Sequence, residues 1–401
     1  MFGGASRSLL ETIAGFPHKT IKAHLVSQRG DVSTIFHESN VEVIDTFGIS
    51  QIDHTKFGFY RNARWLILIR EVFFLPFTFL GLWKAKKKWP KIDIVHVNEI
   101  TNIPSILIAK FLFKCPIFVH VRSVQENNIG KIRLKIRNRI LSMVAQVIAI
   151  DSTVRCSLPD HINVKVIHNG FNVKRQNEIK PSPVNLSSSR PLRLLFVGGF
   201  IPMKGLVNLV HAVKLCKDNN LNIHVVVCGD LEERFSSLKA DFLKKLGLYF
   251  DVKPYCKDYI SCNSMDKFFT FVDFIRDIES VYIESDVLCF PSHLNAVGRP
   301  VIEAALLSKP SIVYLNSADN KNDVIINKET GICIEDQSID ALYNAIKFFH
   351  DNPEEISKMG ANALKLAEKN FNIKKNSKII LNMYNCAVSE FSHAEKDGGK
   401  F

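Results

Sequence analysis

The sequence predicts an α/β protein of two doubly wound, Rossmann-like domains, and three observations carry that expectation. Short apolar runs rich in β-branched residues alternate with helix-length segments along most of the chain. The alternation stops once, in a proline- and serine-rich stretch at 172–191, and then restarts. The length of 401 residues, 46% of them hydrophobic and 23% charged, is ordinary for a globular chain and sufficient for two full cores.

The chain opens MFGGASRSLL, a glycine-rich turn at Gly3 and Gly4 feeding an apolar-periodic helix. In nucleotide-binding α/β domains such a turn follows a buried strand. Only Met1 and Phe2 precede it here, so the first strand of the N-terminal domain is expected to be missing and two sheet edges to be exposed. Strands are read at 21–28, 92–99, 116–122, 146–151 and 164–170, with a helix at 104–114. Beyond the break, strands are read at 192–200, 222–230, 268–274, 286–292 and 310–315, with a helix at 205–217. The segment 235–267 is longer than one helix needs and reads as an insertion. The expected boundaries are an N-terminal domain at 1–171, a linker at 172–191, a C-terminal domain at 192–385 and a polar tail at 386–401.

A formal net charge of +12 suits anionic partners such as nucleotides or phospholipid headgroups. The basic residues are dispersed and no nucleic-acid-binding module is recognisable, so nucleic acid is not an expected partner. Nine cysteines form no CxxC pair, which reads as reduced thiols in a cytoplasmic protein without a metal site. No uninterrupted run reaches the roughly 18 apolar residues of a membrane span. The nearest, 65–89, is broken by Arg70 and Glu71 and ended by Lys84, Lys86, Lys87 and Lys88. It reads either as a core-packed helix or as a surface helix whose aromatic residues enter the headgroup region of an anionic membrane.

Two stretches of the C-terminal half carry chemistry. In the first, the strand LRLLFVG runs into GGFIPMKG (198–205) and a helix, a turn whose N–H groups and Lys204 suit a phosphate. In the second, ESDVLCFPSHLNAVGRPVIEAALLSKPSIV (284–313), a buried strand ends in a loop reaching Gly298, and a helix starts near Pro300. Glu303 is placed in its first turn, either accepting hydrogen bonds from a ribose diol or complementing the helix dipole. In the N-terminal half, HVNE (96–99) and VHVR (119–122) end strands, where doubly wound sheets hold ligands.

Together the two C-terminal stretches resemble the family-four retaining glycosyltransferases, which have the GT-B fold. That family shows Val-Gly-Arg, four residues, then Lys-Gly, matched here by Val197, Gly198, Gly199, Lys204 and Gly205. Its Glu, seven residues, Glu motif is matched by Asn295, Gly298 and Glu303, and GGASRSLLE resembles its opening turn and helix. The resemblance implies that Lys204 neutralises the donor diphosphate, that Glu303 holds the nucleotide ribose, and that backbone near Gly298, Gly3 and Gly4 approaches the phosphates. His120 matches the histidine placed beside the transferred sugar, and IHNG (167–170) matches a closing turn with a structural role. The family arginine is Gly199 here and the first glutamate is Asn295, with Arg299 close enough in sequence to supply the missing charge.

It further implies transfer from a nucleotide-diphosphate sugar, with retention, to a glycan or lipid-linked glycan acceptor, as in bacterial lipopolysaccharide or capsule assembly. No metal or cofactor beyond the donor is expected, and the place is the cytoplasm or the inner membrane face. The alternatives are a catalytically silent nucleotide- or partner-binding protein and a sugar-nucleotide epimerase.

Overall fold

The computed structural model describes residues 4–56, 58–60, 62–171, 191–229, 252–272, 278–294, 297–316 and 323–396. The chain divides into two compact units: Met1–Asn172 together with Phe371–Phe401, and Val173–Asn370.

The first unit runs α1 (Gly4–Gly15), β1 (His24–Gln28), α2 (Asp31–Glu38), β2 (Glu42–Thr46), α3 (Leu66–Lys88), β3 (Val95–Val97), α4 (Ile103–Leu112), β4 (Ile117–Val121), α5 (Lys131–Leu141), β5 (Gln146–Ala149), α6 (Ser152–Cys156) and β6 (Val164–Val166). Its strands pair in parallel but in two pieces, β1–β2 and β3–β4–β5–β6. One apolar layer runs under both, since Val26 and Ile44 pack on the cluster that holds Val97 and Val119. Among the described residues, β1 and β3 each have a strand neighbour on one side only.

The second unit runs β7 (Leu192–Val197), α7 (Leu206–Asp218), β8 (Ile223–Cys228), α8 (Val252–Cys262), β9 (Phe269–Val272), α9 (Glu279–Glu284), β10 (Val287–Phe290), α10 (Arg299–Leu306), β11 (Ser311–Tyr314), β12 (Gly331–Ile334), α11 (Ile339–Asp351) and α12 (Pro353–Asn370). Its six strands are ordered β12-β11-β10-β7-β8-β9 and all pairs are parallel. Counted from β7, that is the 3-2-1-4-5-6 order of a doubly wound nucleotide-binding domain. Alternate residues of β7 feed opposite cores. Leu194 and Phe196 pack with α7, α8 and α11, whereas Leu195 packs with α9 and α10. Burial on both faces explains why these strands read as continuous apolar runs.

Three sequence boundaries need correction. A last helix, α13 (Ile373–Lys396), belongs to the first unit, so the C-terminal domain does not extend to residue 385. Ile380 of α13 sits in one core with Phe118 and Ile148 of the β3–β6 sheet, and apolar burial there outweighs sequence proximity. The polar tail expected at 386–401 is helical as far as Lys396, and 397–401 lie outside the described residues. The linker residues 172–190 and the 235–251 part of the expected insertion also lie outside them. The remainder of that insertion begins with α8, whose Val252, Cys256 and Ile260 are core residues.

The 65–89 stretch is corrected too. Its helix α3 is long and apolar enough to cross a membrane by length and composition. The charges the sequence reading treated as interruptions cluster near its two ends and leave the middle apolar. No disulfide joins any of the nine cysteines, and burial raises the thiols of Cys228 and Cys256 to about 12, so those two are inert packing groups.

Candidate active site

In a doubly wound sheet, ligands settle at the carboxyl ends of the strands where the strand order reverses. In the second unit that point lies between β7 and β10, neighbours in the sheet although β8 and β9 intervene in sequence. The chain leaves β7 through Gly198 and Gly199, makes a 3₁₀ turn at Pro202–Lys204 and enters α7. It leaves β10 through Pro291 and Ser292 and enters α10 after Gly298. The two loops are tied at one atom. The Ser292 hydroxyl and the His293 N–H both donate to the Met203 carbonyl, at 3.2 and 3.0 Å. Gly205 makes this approach feasible: its φ is +79°, and a Cβ there would stand 1.8 Å from the Pro291 carbonyl oxygen.

Lys204 and Gly298 meet on one ring. The Lys204 ammonium lies 5.4 Å from the centroid of Phe290, and a Cβ on Gly298 would come within 2.6 Å of the same ring. Burial holds the Lys204 pKa below its ordinary value, and no carboxylate pairs with it among the described residues. A half-buried cation at the mouth of a sheet, beside the N-terminus of α10, is a fitting cradle for an oxyanion. Gly199 stands apart from this packing, with nothing within 4 Å of where its Cβ would be. The site has room at the position where the resembled family carries arginine.

Glu303 is not in the first turn of α10, as expected, but one turn further on. Pro300 has no N–H and fills a first-turn position where none is needed, so the helix begins at Arg299. Both Glu303 oxygens are held. Arg299 Nε donates to Oε1 at 2.8 Å, and the buried Tyr282 hydroxyl donates to Oε2 at 3.2 Å. Burial first, and then the neighbouring carboxylate, keep Tyr282 protonated well above the usual tyrosine range. An arginine in the first turn followed by a glutamate four residues on is the less favourable order for a helix, by a few tenths of a kcal/mol (~0.3). The pair therefore serves the carboxylate's position, and each oxygen keeps lone-pair capacity for a diol. Arg299 is committed to Glu303 through Nε rather than standing as a detached charge.

The first unit gathers a second polar cluster at the carboxyl ends of its strands. Arg122, just past β4, donates through Nε to the Asn98 side chain at 2.9 Å and through Nη1 to Asn169 Oδ1. Its Nη2 lies 3.2 Å from Nδ1 of His120. Glu99 accepts from the Ile100 N–H at 2.8 Å and from the Ser123 hydroxyl at 3.0 Å. The Tyr384 hydroxyl of α13 lies 2.6 Å from His96 Nδ1. Nε2 of both His96 and His120 is buried without a partner among the described residues. Desolvation dominates the ionisation here. It lowers His96 to about 3 and His120 well below 6.5, raises Glu99 to about 7, and lowers Arg122 to about 10.

Not every sequence-derived residue lands in these clusters. Gly3 and Asn295 lie outside the described residues. Gly4 is the first residue of α1 rather than part of a turn, and a side chain there would meet nothing. α1 nevertheless begins beside the second cluster, where Asn98 Nδ2 donates to the Ala5 carbonyl at 3.2 Å. Gly170 has the structural role expected of it, since a Cβ there would stand 2.5 Å from Ile373 Cα. The sequence places Asn98, Glu99 and Arg122 at ligand-holding strand ends without singling them out, gives Asn169 only a turn, and does not point to Tyr384. The first three end strands that were recognised, but Asn169 and Tyr384 reach the cluster only through the tertiary fold.

Comparison with known proteins fits both units. Residues 2–175 match the family model described as Glycosyltransferase Family 4, and residues 191–352 match Glycosyl transferases group 1. An uncharacterized glycosyltransferase of Methanocaldococcus jannaschii is 23% identical over 351 residues, covering 84% of this chain and 80% of that protein. The capsular polysaccharide biosynthesis glycosyltransferase CapM of Staphylococcus aureus is 24% identical over 195 residues, 49% of this chain and 46% of CapM. Among solved structures, Anabaena HepE in complex with UDP superposes with a TM-score of 0.70 at 16% identity, over 96% of this chain and 97% of HepE. A glycosyltransferase from Rickettsia africae does so with a TM-score of 0.71 at 18% identity, over 97% and 96%. Two matched domains and this doubly wound architecture define the class: the chain is a glycosyltransferase of the GT-B type, with a family-four domain followed by a group 1 domain.

Proposed function

We propose that the chain moves a hexose, with retention, from a nucleotide-diphosphate sugar to a glycan or lipid-linked glycan acceptor in bacterial surface polysaccharide assembly. The observation that carries this reading is Lys204, a half-buried ammonium with no carboxylate partner among the described residues, at the strand-order switch point. As the bond from the sugar C1 to the phosphate oxygen breaks, charge develops on the departing diphosphate. Lys204 and the N–H groups opening α10 stabilise that charge, and they are in place before the reaction. Glu303, held on both oxygens, takes the ribose hydroxyls. In this reading protein groups alone handle the leaving diphosphate, and His120 attends the transferred sugar.

HepE was solved with UDP and with UDP-glucose, which favours a uridine donor. CapM belongs to capsule synthesis, which favours a surface-polysaccharide acceptor. The test is release of nucleoside diphosphate from UDP-, GDP- and ADP-sugars, with and without a lipid-linked acceptor. One donor should be consumed in an acceptor-dependent way, and Lys204→Ala should slow it by roughly 30- to 1000-fold, about 2–4 kcal/mol. Consumption of no donor, or an unaffected Lys204→Ala variant, overturns the assignment.

A further inference from the structure

Helix α3 is inside out. Its buried residues are Glu71, Thr78, Gly81 and Ala85, all small or polar, whereas its outward residues include Leu66, Ile69, Val72, Phe73, Leu80 and Trp83. The inner face is fixed to the unit by hydrogen bonds. The Gln51 N–H donates to Glu71 Oε2 at 2.6 Å, and the Ser50 N–H donates to Thr78 Oγ1 at 2.8 Å. Gly81 lets the helix lie close on β2, since a Cβ there would stand 2.3 Å from Thr46 Cγ2. A helix pinned in this way along its length lies on the unit and does not cross a bilayer. A soluble surface helix has the reverse arrangement, apolar residues in and polar residues out.

The apolar face continues onto two neighbouring helices. α4 packs against both α3 and α5. It exposes Phe111 at 81%, while α3 exposes Ile69 at 69% and α5 exposes Ile132 at 77%. Phe47, in the segment after β2, is exposed and meets the exposed Phe73 of α3 edge-on, ring centroids 6.2 Å apart. A patch of this kind is larger than scattered surface apolar residues account for.

Its surroundings are cationic. α5 (KIRLKIRNRIL) carries no acid, and Lys131, Lys135 and Arg139 on it are exposed, whereas Arg137 is buried. Arg133 lies 5.1 Å from the Trp65 ring at the start of α3, and Lys87 lies 3.7 Å from Trp83 near its end. Lys84, Lys87 and Lys88 are exposed beside Trp83. Aromatic and branched side chains level with a rim of lysine and arginine match the headgroup boundary of an anionic bilayer, where the apolar groups enter the acyl region and the cations meet phosphate.

We propose that α3, with the exposed faces of α4 and α5, is a monotopic docking surface for an anionic phospholipid membrane. The surface belongs to the first unit and the donor site to the second, and the proposal does not rest on the transferase reading. The test is flotation of the full chain with vesicles of phosphatidylcholine alone and of phosphatidylcholine containing phosphatidylglycerol. The chain should float with the anionic vesicles, and high salt should weaken the binding. Combined Ile69→Ser, Phe111→Ser and Ile132→Ser substitutions should reduce binding by at least about tenfold while leaving the melting temperature and nucleotide binding unchanged. Combined Lys84→Glu and Lys135→Glu should abolish the preference for anionic lipid. The proposal is overturned if the chain does not float with anionic vesicles, or binds both vesicle types equally. It is also overturned if the face instead pairs two copies in solution without lipid binding.

Discussion

Arg122 fixes the tautomer of His120. An arginine side chain only donates, so Nδ1 of His120, 3.2 Å from Arg122 Nη2, must accept, and the ring proton resides on the buried Nε2, which has no partner among the described residues. His120 therefore presents a hydrogen-bond donor, and burial beside a cation keeps it neutral. A donor and a base respond differently to substitution. Glutamine places an N–H near the position of Nε2, so His120→Gln should retain transfer within about tenfold, whereas His120→Ala should lose about a hundredfold or more. Steady-state kinetics of the two variants decide the matter. Equal losses would mean that the imidazole works by taking a proton.

Glu99 makes a pH signature. Burial raises its carboxyl from 4.5 to about 7, against the opposing pull of its hydrogen bonds and Arg122. A carboxyl with a raised folded pKa contributes stability that is full below 4.5 and is lost as pH rises to about 7. His96, lowered to about 3, works in the opposite direction: its contribution is full above 6.5 and is lost as pH falls. The histidine effect is common to wild type and Glu99→Gln and cancels between them. The stability of wild type relative to Glu99→Gln should therefore fall by about 3 kcal/mol between pH 4.5 and pH 7.5. Urea denaturation across that range measures it, and a pH-independent difference would show that Glu99 is not protonated at neutral pH.

The two glycines of the β7 loop should respond oppositely to side chains. Gly205→Ala places a methyl in the left-handed region and against the Pro291 carbonyl, and should cost about 2–4 kcal/mol. Gly199→Arg enters open space and should alter stability by no more than about 0.5 kcal/mol. The new guanidinium should also tighten nucleoside diphosphate binding. Thermal unfolding with and without nucleotide reads both effects. A destabilised Gly199→Arg protein that binds no more tightly would place Gly199 away from the phosphates.

Most of the second unit was legible because β7, β8, β10 and β11 are buried on both faces and announce themselves as short apolar runs. Lys204, Gly205, Gly298 and Glu303 could be placed from sequence on the loops after β7 and β10 and the helix that follows, because loop and helix-start signals are local. β2 and β12 were missed for a local reason: EVIDT carries two acids and GICI opens on glycine, so neither forms an apolar run of the usual length. The cluster in the first unit was only half legible. His120 and the HVNE strand end were noticed, but Asn169 and Tyr384 arrive from 47 and 288 residues away, by the criteria of the bonds to Arg122 and His96. α13 was assigned to the wrong domain because its apolar face is complementary to a sheet it does not adjoin in sequence.

The central claim is that the loops after β7 and β10 hold a nucleoside diphosphate, with Lys204 on the phosphates and Glu303 on the ribose. Calorimetric titration of UDP and GDP into wild type, Lys204→Ala and Glu303→Ala tests it directly. One nucleotide should bind the wild type, and each variant should bind it about 10- to 100-fold more weakly, about 1.4–2.8 kcal/mol, while keeping its fold. Equal affinity in all three proteins would contradict the account.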